Sequence, residues 1–234
     1  MGAGNSQAGG LKPARHLQTC QFLLGSLVAL LVIFPFLEDV ARPLFLIMPM
    51  TGVFVAAVLV ADAGPRSVRH ALIIGAIQVG LTVVSLIDRE SRTSYWVAVA
   101  LALVATVVLM LFSTYCLMGY VLRARKVTQD QIYAGICMYL MLGFAFGAFY
   151  YLLSILDPQS FAANVDPGSG QKPDLMYFSF VTLATLGYGD ITPRTNIARS
   201  LAVVEALAGM LFIAIFMARL VSMRSDEPTK EPGE

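Results

Sequence analysis

The chain has 234 residues, 57% of them hydrophobic and only 13% charged, about half the charged share of roughly 25% found in soluble globular domains. That balance excludes an ordinary soluble domain and places the chain in lipid. A formal net charge of +1 leaves no extended basic face of the kind nucleic acid requires.

Six apolar segments follow one another, near residues 18–37, 44–61, 70–87, 95–121, 132–155 and 197–223. At 1.5 Å per residue each is long enough to cross a hydrocarbon core of about 30 Å. The first follows Lys12 and Arg15 and has no clear small-residue cleavage site before Glu38 and Asp39, so it reads as a retained span that also directs insertion. Cys20, Cys116 and Cys137 lie in or beside apolar segments, and no Cys/His pair has ligand spacing. Neither a disulfide framework nor a zinc site is expected.

Basic residues set orientation. Lys12 and Arg15, then Arg66 and Arg69, then Arg123, Arg125 and Lys126, and finally Arg219 and Arg224 mark one side. The alternate connections are acidic or balanced: Arg42 with Glu38 and Asp39, Arg89 and Arg92 with Asp88 and Glu90, and the long segment 156–196. Both termini are therefore expected on the cytoplasmic side of a plasma or bacterial inner membrane. Tyr95 and Trp96 then fall at the outer boundary of the fourth span, where amphipathic aromatics anchor.

The connection after the fifth span holds the chemistry. From Asp157 to Pro173 it is polar and turn-rich, with Asp157-Pro158, Asp166-Pro167-Gly168 and Gly170, and reads as an exposed loop. Residues 174–185 turn apolar again but are too few to span, which suits a re-entrant helix buried in protein, with Asp174 as its N-cap. Thr185-Leu186-Gly187-Tyr188-Gly189-Asp190 follows at once. Two glycines around a tyrosine permit alternating backbone dihedrals, so that successive carbonyls can turn to one side.

On this arrangement residues 132–223 resemble the pore module of the potassium channel superfamily: outer helix, pore helix, filter and inner helix. The resemblance implies an all-α membrane protein with six transmembrane helices, a re-entrant pore helix and a selectivity filter, assembled as a homotetramer because each chain supplies one filter strand. It implies K+ ions in the filter, bound by the backbone carbonyls of Thr185, Leu186, Gly187 and Tyr188 and by the Thr185 hydroxyl, with Gly189 completing the motif. Leu186 stands where valine is more usual. The pore helix would turn its partly negative C-terminal end toward a cavity cation. Tyr188 and Gly189 argue for potassium over sodium, because nonselective relatives often lose the tyrosine.

The same resemblance assigns supporting positions. Asp190 closes the filter motif. Tyr177 and Phe178 resemble the aromatic pair that braces the filter tyrosine, or they are plain helix packing. Gly209, 20 residues past Gly189, matches the spacing of a hinge glycine, or joins Ala202 and Ala206 in a small-residue strip for close helix contact. Met210, Ile213, Met217 and Val221 recur at helical spacing and are expected to line the inner cavity and gate, or to be buried core. Glu205 is the one ionisable residue well inside a span. It either bonds the pore helix near Ser179 or Thr182, or raises cation density in the cavity.

The expected division is a cytoplasmic N-terminal segment, 1–17; a four-helix peripheral membrane domain, 18–122; a cytoplasmic linker, 123–131; a pore domain, 132–223, with pore helix 174–185, filter 185–190 and inner helix 197–223; and a short disordered tail, 224–234. Residues 95–121 contain no Arg or Lys, so this peripheral domain lacks the gating charges of voltage-gated relatives and little or no voltage dependence is expected. Arg123, Arg125 and Lys126 either couple the two domains or simply set topology near lipid headgroups. The short stretch after the last span disfavours nucleotide or calcium gating in cis. Membrane lipids are the other expected partner and no organic cofactor is called for. The competing readings are a weakly selective cation channel and a regulatory pore subunit; an enzyme would need a nucleophile–base set or metal cluster that these spans do not offer.

Overall fold

The protein's structure, a computed structural model, describes residues 13–36, 51–59, 61, 64–87, 92–123, 128–163 and 174–225. The expected N-terminal segment before Pro13, linker residues Arg125 and Lys126, loop residues Asp166 to Gly170 and the tail beyond Ser225 lie outside them. The helices are α1 (Pro13–Ile33), α2 (residues 51–59), α3 (Gly64–Ile87), α4 (Arg92–Arg123), α5 (Gln129–Leu156), α6 (Leu175–Leu183) and α7 (Asn196–Ser225). A 3-10 turn, Phe34–Phe36, extends α1.

Among the described residues four helices are long and apolar enough to cross a membrane: Gly64–Val84, Val97–Val121, Gln129–Leu156 and Asn196–Ser222. The apolar part of α1, Cys20–Ile33, is shorter, and the second expected span is described only over residues 51–59. Of the six expected spans, four are complete among the described residues. α3 starts six residues ahead of the expected 70 because Gly64-Pro65 opens it, and proline belongs in a first helical turn, where its missing N–H costs nothing. α5 starts at Gln129 rather than 132: the side chain of Gln131 reaches back to accept from the Thr128 N–H at 3.3 Å, closing the first turn.

α5 is the hub, packing against α1, α4, α6 and α7, while α3 pairs with α4. Its small residues permit this. A methyl at Gly143 would fall 2.6 Å from the Phe180 ring, one at Gly147 2.5 Å from Met176 Sδ, and one at Gly135 2.1 Å from the Phe216 ring. The main core joins Leu23, Leu27, Phe54, Leu109, Leu117, Met138, Met141, Phe144 and Met176. Outward, Phe22, Val32, Leu72, Ile77, Leu101, Val104 and Val108 are exposed, the apolar exterior that hydrocarbon requires. Polar contacts join the helices ahead of α5: Gln78 Nε2 donates to Thr106 Oγ1 at 2.9 Å, and Ser113 Oγ donates to the Phe54 carbonyl at 3.2 Å. Such bonds glue helices where no hydrophobic force distinguishes a neighbour from lipid.

A two-stranded antiparallel sheet is an addition to the all-helical expectation. β1 (Phe161–Ala163) pairs with β2 (Ile191–Pro193) in the register Phe161↔Pro193, Ala162↔Thr192, Ala163↔Ile191. The connection read as an exposed loop from 157 therefore enters a strand at 161. Three residues carry no detectable alternation, and the partner lies beyond α6, so local pattern could not reveal the pairing. The sheet ties the outer connection directly to the exit of the glycine motif.

Candidate functional site

α6 is fixed at both ends. Asp174 caps its start, its Oδ1 accepting from the N–H groups of Met176 and Tyr177 at 3.1 Å each, which satisfies two of the orphan donors at a helix N-terminus. At its other end the Leu183 carbonyl accepts from Tyr139 Oη at 3.2 Å. The following N–H groups fold back onto the helix. Thr185 N–H donates to the Thr182 carbonyl, and Leu186 N–H to the Val181 carbonyl, each at 2.9 Å. There are no cis peptides among the described residues, and in a trans peptide each carbonyl points opposite to the next residue's N–H. The carbonyls of Ala184 and Thr185 consequently point away from α6.

Beyond that hook the backbone alternates. Thr185, Gly187 and Gly189 have φ of +57°, +57° and +78°, whereas Leu186, Tyr188 and Asp190 do not enter the positive-φ region. Alternation between the left- and right-handed sides turns successive carbonyls to one face of an extended strand. The two glycines were legible as such positions; Thr185, the one non-glycine residue with positive φ among those described, was not. A side chain held there is strained by about 1–2 kcal/mol and persists because both flanks are anchored. Residues 184–190 are all exposed in the single chain, as is one face of α7 with Val203, Val204, Leu207, Met210, Leu211, Ile213, Met217 and Val221.

The expected supports take distinct places. The Asp190 carboxylate beside Tyr177 pushes the phenol's pKa above its ordinary value. Phe178 is in edge contact with Tyr150 at 5.1 Å and Phe161 at 5.5 Å. Leu186, Val181 and Tyr177 line an apolar cleft of about 190 Å³ with Leu31 and Phe34 at the end of α1. Gly209 is buried, and a methyl there would sit 2.4 Å from the Leu183 carbonyl oxygen. Its observed role is close contact between α7 and the end of α6.

Glu205 has no exposed surface. It hydrogen-bonds Ser179, whose Oγ also lies 2.7 Å from the Gly143 carbonyl, and it accepts from Tyr150 Oη at 2.5 Å. α5, α6 and α7 meet at this carboxyl. Its two carboxyl oxygens are both engaged within the chain, one by Ser179 and one by Tyr150. Ser179 was within reach of sequence reasoning; Tyr150, 55 residues away, was missed because no local signal says which face of α5 meets α7.

Residues 138–225 match the family described as Ion channel. Protein LctB of Geobacillus stearothermophilus is 30% identical over 124 residues, 50% of this chain and 90% of the relative. The chain belongs to the same family as this relative, a family of ion channels by the match over residues 138–225. Two pore potassium channel c of Oryza sativa subsp. japonica is 34% identical over 85 residues, covering 36% of this chain and 18% of the relative. Inward rectifier potassium channel Kirbac3.1 of Paramagnetospirillum magnetotacticum is 42% identical over 66 residues, covering 28% and 21%. The chain thus spans about a fifth of the length of either of these two relatives. No solved structure matches significantly. The Ion channel match over residues 138–225 falls on α5 to α7, where the glycine motif lies.

Proposed function

We propose that four copies of this chain form a potassium-selective pore that conducts K+ passively, with little or no intrinsic voltage dependence. The observation that carries the reading is the alternating backbone of residues 185–190, anchored at one end on a capped nine-residue helix and at the other on a two-stranded sheet. Four such strands around an axis would offer rings of carbonyl oxygen in place of the hydration shell of K+. Thr185, Leu186, Gly187 and Tyr188 would supply the carbonyls and Thr185 the hydroxyl ring, with Gly189 completing the strand. The exposure of this strand and of one α7 face in the single chain supports a homotetramer, since both would be covered by neighbouring copies and by the central cavity.

In this reading Asp190 and Tyr177 hold the outer end of the filter. Phe178 and Glu205 hold the pore helix to its neighbours. Met210, Ile213, Met217 and Val221 face the inner cavity and gate, and Gly209 sets how closely the inner helix approaches the pore helix. The remaining helices form a peripheral bundle in contact with lipid, in a cell membrane with both termini cytoplasmic.

The test is ion flux through the purified chain in liposomes under a potassium gradient, repeated with sodium and with barium. Potassium flux well above sodium flux, blocked by barium, is expected. Equal sodium flux would favour the weakly selective alternative, and a chain that conducts only beside another subunit would favour the regulatory one.

A further inference from the structure

The hydrogen bonds around Glu205 can be counted proton by proton. The Ser179 hydroxyl carries one proton, yet its oxygen is at bonding distance from two acceptor groups, the Gly143 carbonyl at 2.7 Å and Glu205 Oε1. A carbonyl only accepts, so both contacts are hydrogen bonds only if the Ser179 proton goes to Gly143. The contact between Ser179 Oγ and Glu205 Oε1 then needs a second proton, and the carboxyl is the one group there that can bring it. On the far side Tyr150 donates its own proton to Glu205 Oε2. An ionised Glu205 would leave one of the two Ser179 contacts as oxygen facing oxygen with nothing between.

We infer that Glu205 is a neutral carboxylic acid in the assembled protein, a proton-carrying positioning residue that lets Ser179 bind the outer helix and the inner helix at once. The chain of donors runs Glu205 Oε1–H to Ser179 Oγ, then Ser179 O–H to the Gly143 carbonyl. It links α7 through α6 to α5 directly behind the glycine motif.

The surroundings agree. Among the described residues of α5, the titratable groups that interact with the carboxyl are the hydroxyls of Tyr150, which donates to it, and Tyr139. α6 contributes Ser179 there. Along α7 the nearest charged side chains are Arg199, which donates to the Pro193 carbonyl, and Arg219, which donates to the Val121 carbonyl. No lysine or arginine is among the hydrogen-bond partners of Glu205 in the described residues. An ionised carboxylate fully buried without a cation is costly, whereas a protonated one with both oxygens engaged is not.

The inference deepens the reading of Glu205 as a support of the filter. It is tested by infrared spectroscopy of the full chain in lipid at neutral pH, taking the difference between the native protein and Glu205→Gln. A carbonyl stretch of a protonated acid, lost in Glu205→Gln and shifted to higher frequency in Ser179→Ala, is expected. The amide of Glu205→Gln can also donate to Ser179 and accept from Tyr150, so this variant should keep the native thermal stability of the assembly while Glu205→Ala loses it. A carboxylate band in place of the acid band, an acid band unmoved by Ser179→Ala, or a Glu205→Gln assembly as unstable as Glu205→Ala overturns the inference. None of these readouts needs conduction. A silent chain with the acid band therefore counts against the potassium reading alone, and a conducting chain without it counts against the proton alone.

Discussion

Gly209 shows how one missing methyl sets the approach of α7 to the end of α6. Its neighbour across the helix contact is a backbone carbonyl, Leu183 O, at 2.4 Å from where a Cβ would stand, and that carbonyl is itself held by Tyr139. Neither a rotamer change nor a small side-chain shift relieves such a clash; α6 or α7 must move. Gly209→Ala should cost about 1–3 kcal/mol per subunit, read as a lower thermal midpoint of the assembly, with flux falling in step because Leu183 lies two residues before Thr185. A hinge role alone would predict otherwise, since alanine is a better helix former than glycine and would leave stability equal or higher. The sequence shows the glycine and its spacing from Gly189 but not the carbonyl opposite, which depends on the rotation of two helices. Gly187 and Gly189 were legible because their requirement is local, a backbone sign that glycine accepts. Thr185 carries the same sign without advertising it.

At the scale of elements, α5 reads in sequence as one apolar span among several, yet it organises the rest. Its face toward α7 is made by Gly135 and Tyr139 against Phe212 and Phe216, whose rings stack at 5.8 Å with an interplanar angle of 16°. Gly135→Ala would put a methyl 2.1 Å from the Phe216 ring, and the stacked Phe212 limits where that ring can go. In the native background the substitution should lower thermal stability by about 1–3 kcal/mol per subunit. In a Phe216→Ala background the same substitution should become neutral or stabilising, because alanine for helical glycine gains roughly 0.5–1 kcal/mol. A double-mutant cycle measures the difference, and simple additivity would mean that the two positions do not touch in the assembly. This pairing spans 81 residues of sequence, and nothing in either helix's composition announces it. The short sheet was illegible for the same reason. Helix existence, by contrast, follows from length and apolarity, and the described helices overlap five of the six expected spans over most of their length.

For the whole molecule the informative feature is where charge is placed. α4 carries Arg92 and Arg123 at its ends and no lysine or arginine between them, and its middle exposes Val97, Leu101, Val104, Val108 and Leu111. Inside α5 to α7 Glu205 is enclosed by hydroxyls, with no cationic partner among its described hydrogen bonds. One elementary charge crossing the full membrane field is worth about 2.3 kcal/mol per 100 mV, and steep voltage gating needs several such charges per subunit. In the proposed reading α4 therefore supplies no gating charge from within its length. In planar bilayers the open probability of the reconstituted chain should change by less than about tenfold per 100 mV, short of what a single full gating charge would give. A steeper curve would require charge movement from outside α4, from the basic residues at the helix ends or from Glu205 itself. Repeating the measurement with Glu205→Gln separates these sources, because that variant removes the one carboxyl able to ionise between α5, α6 and α7 and leaves every arginine in place.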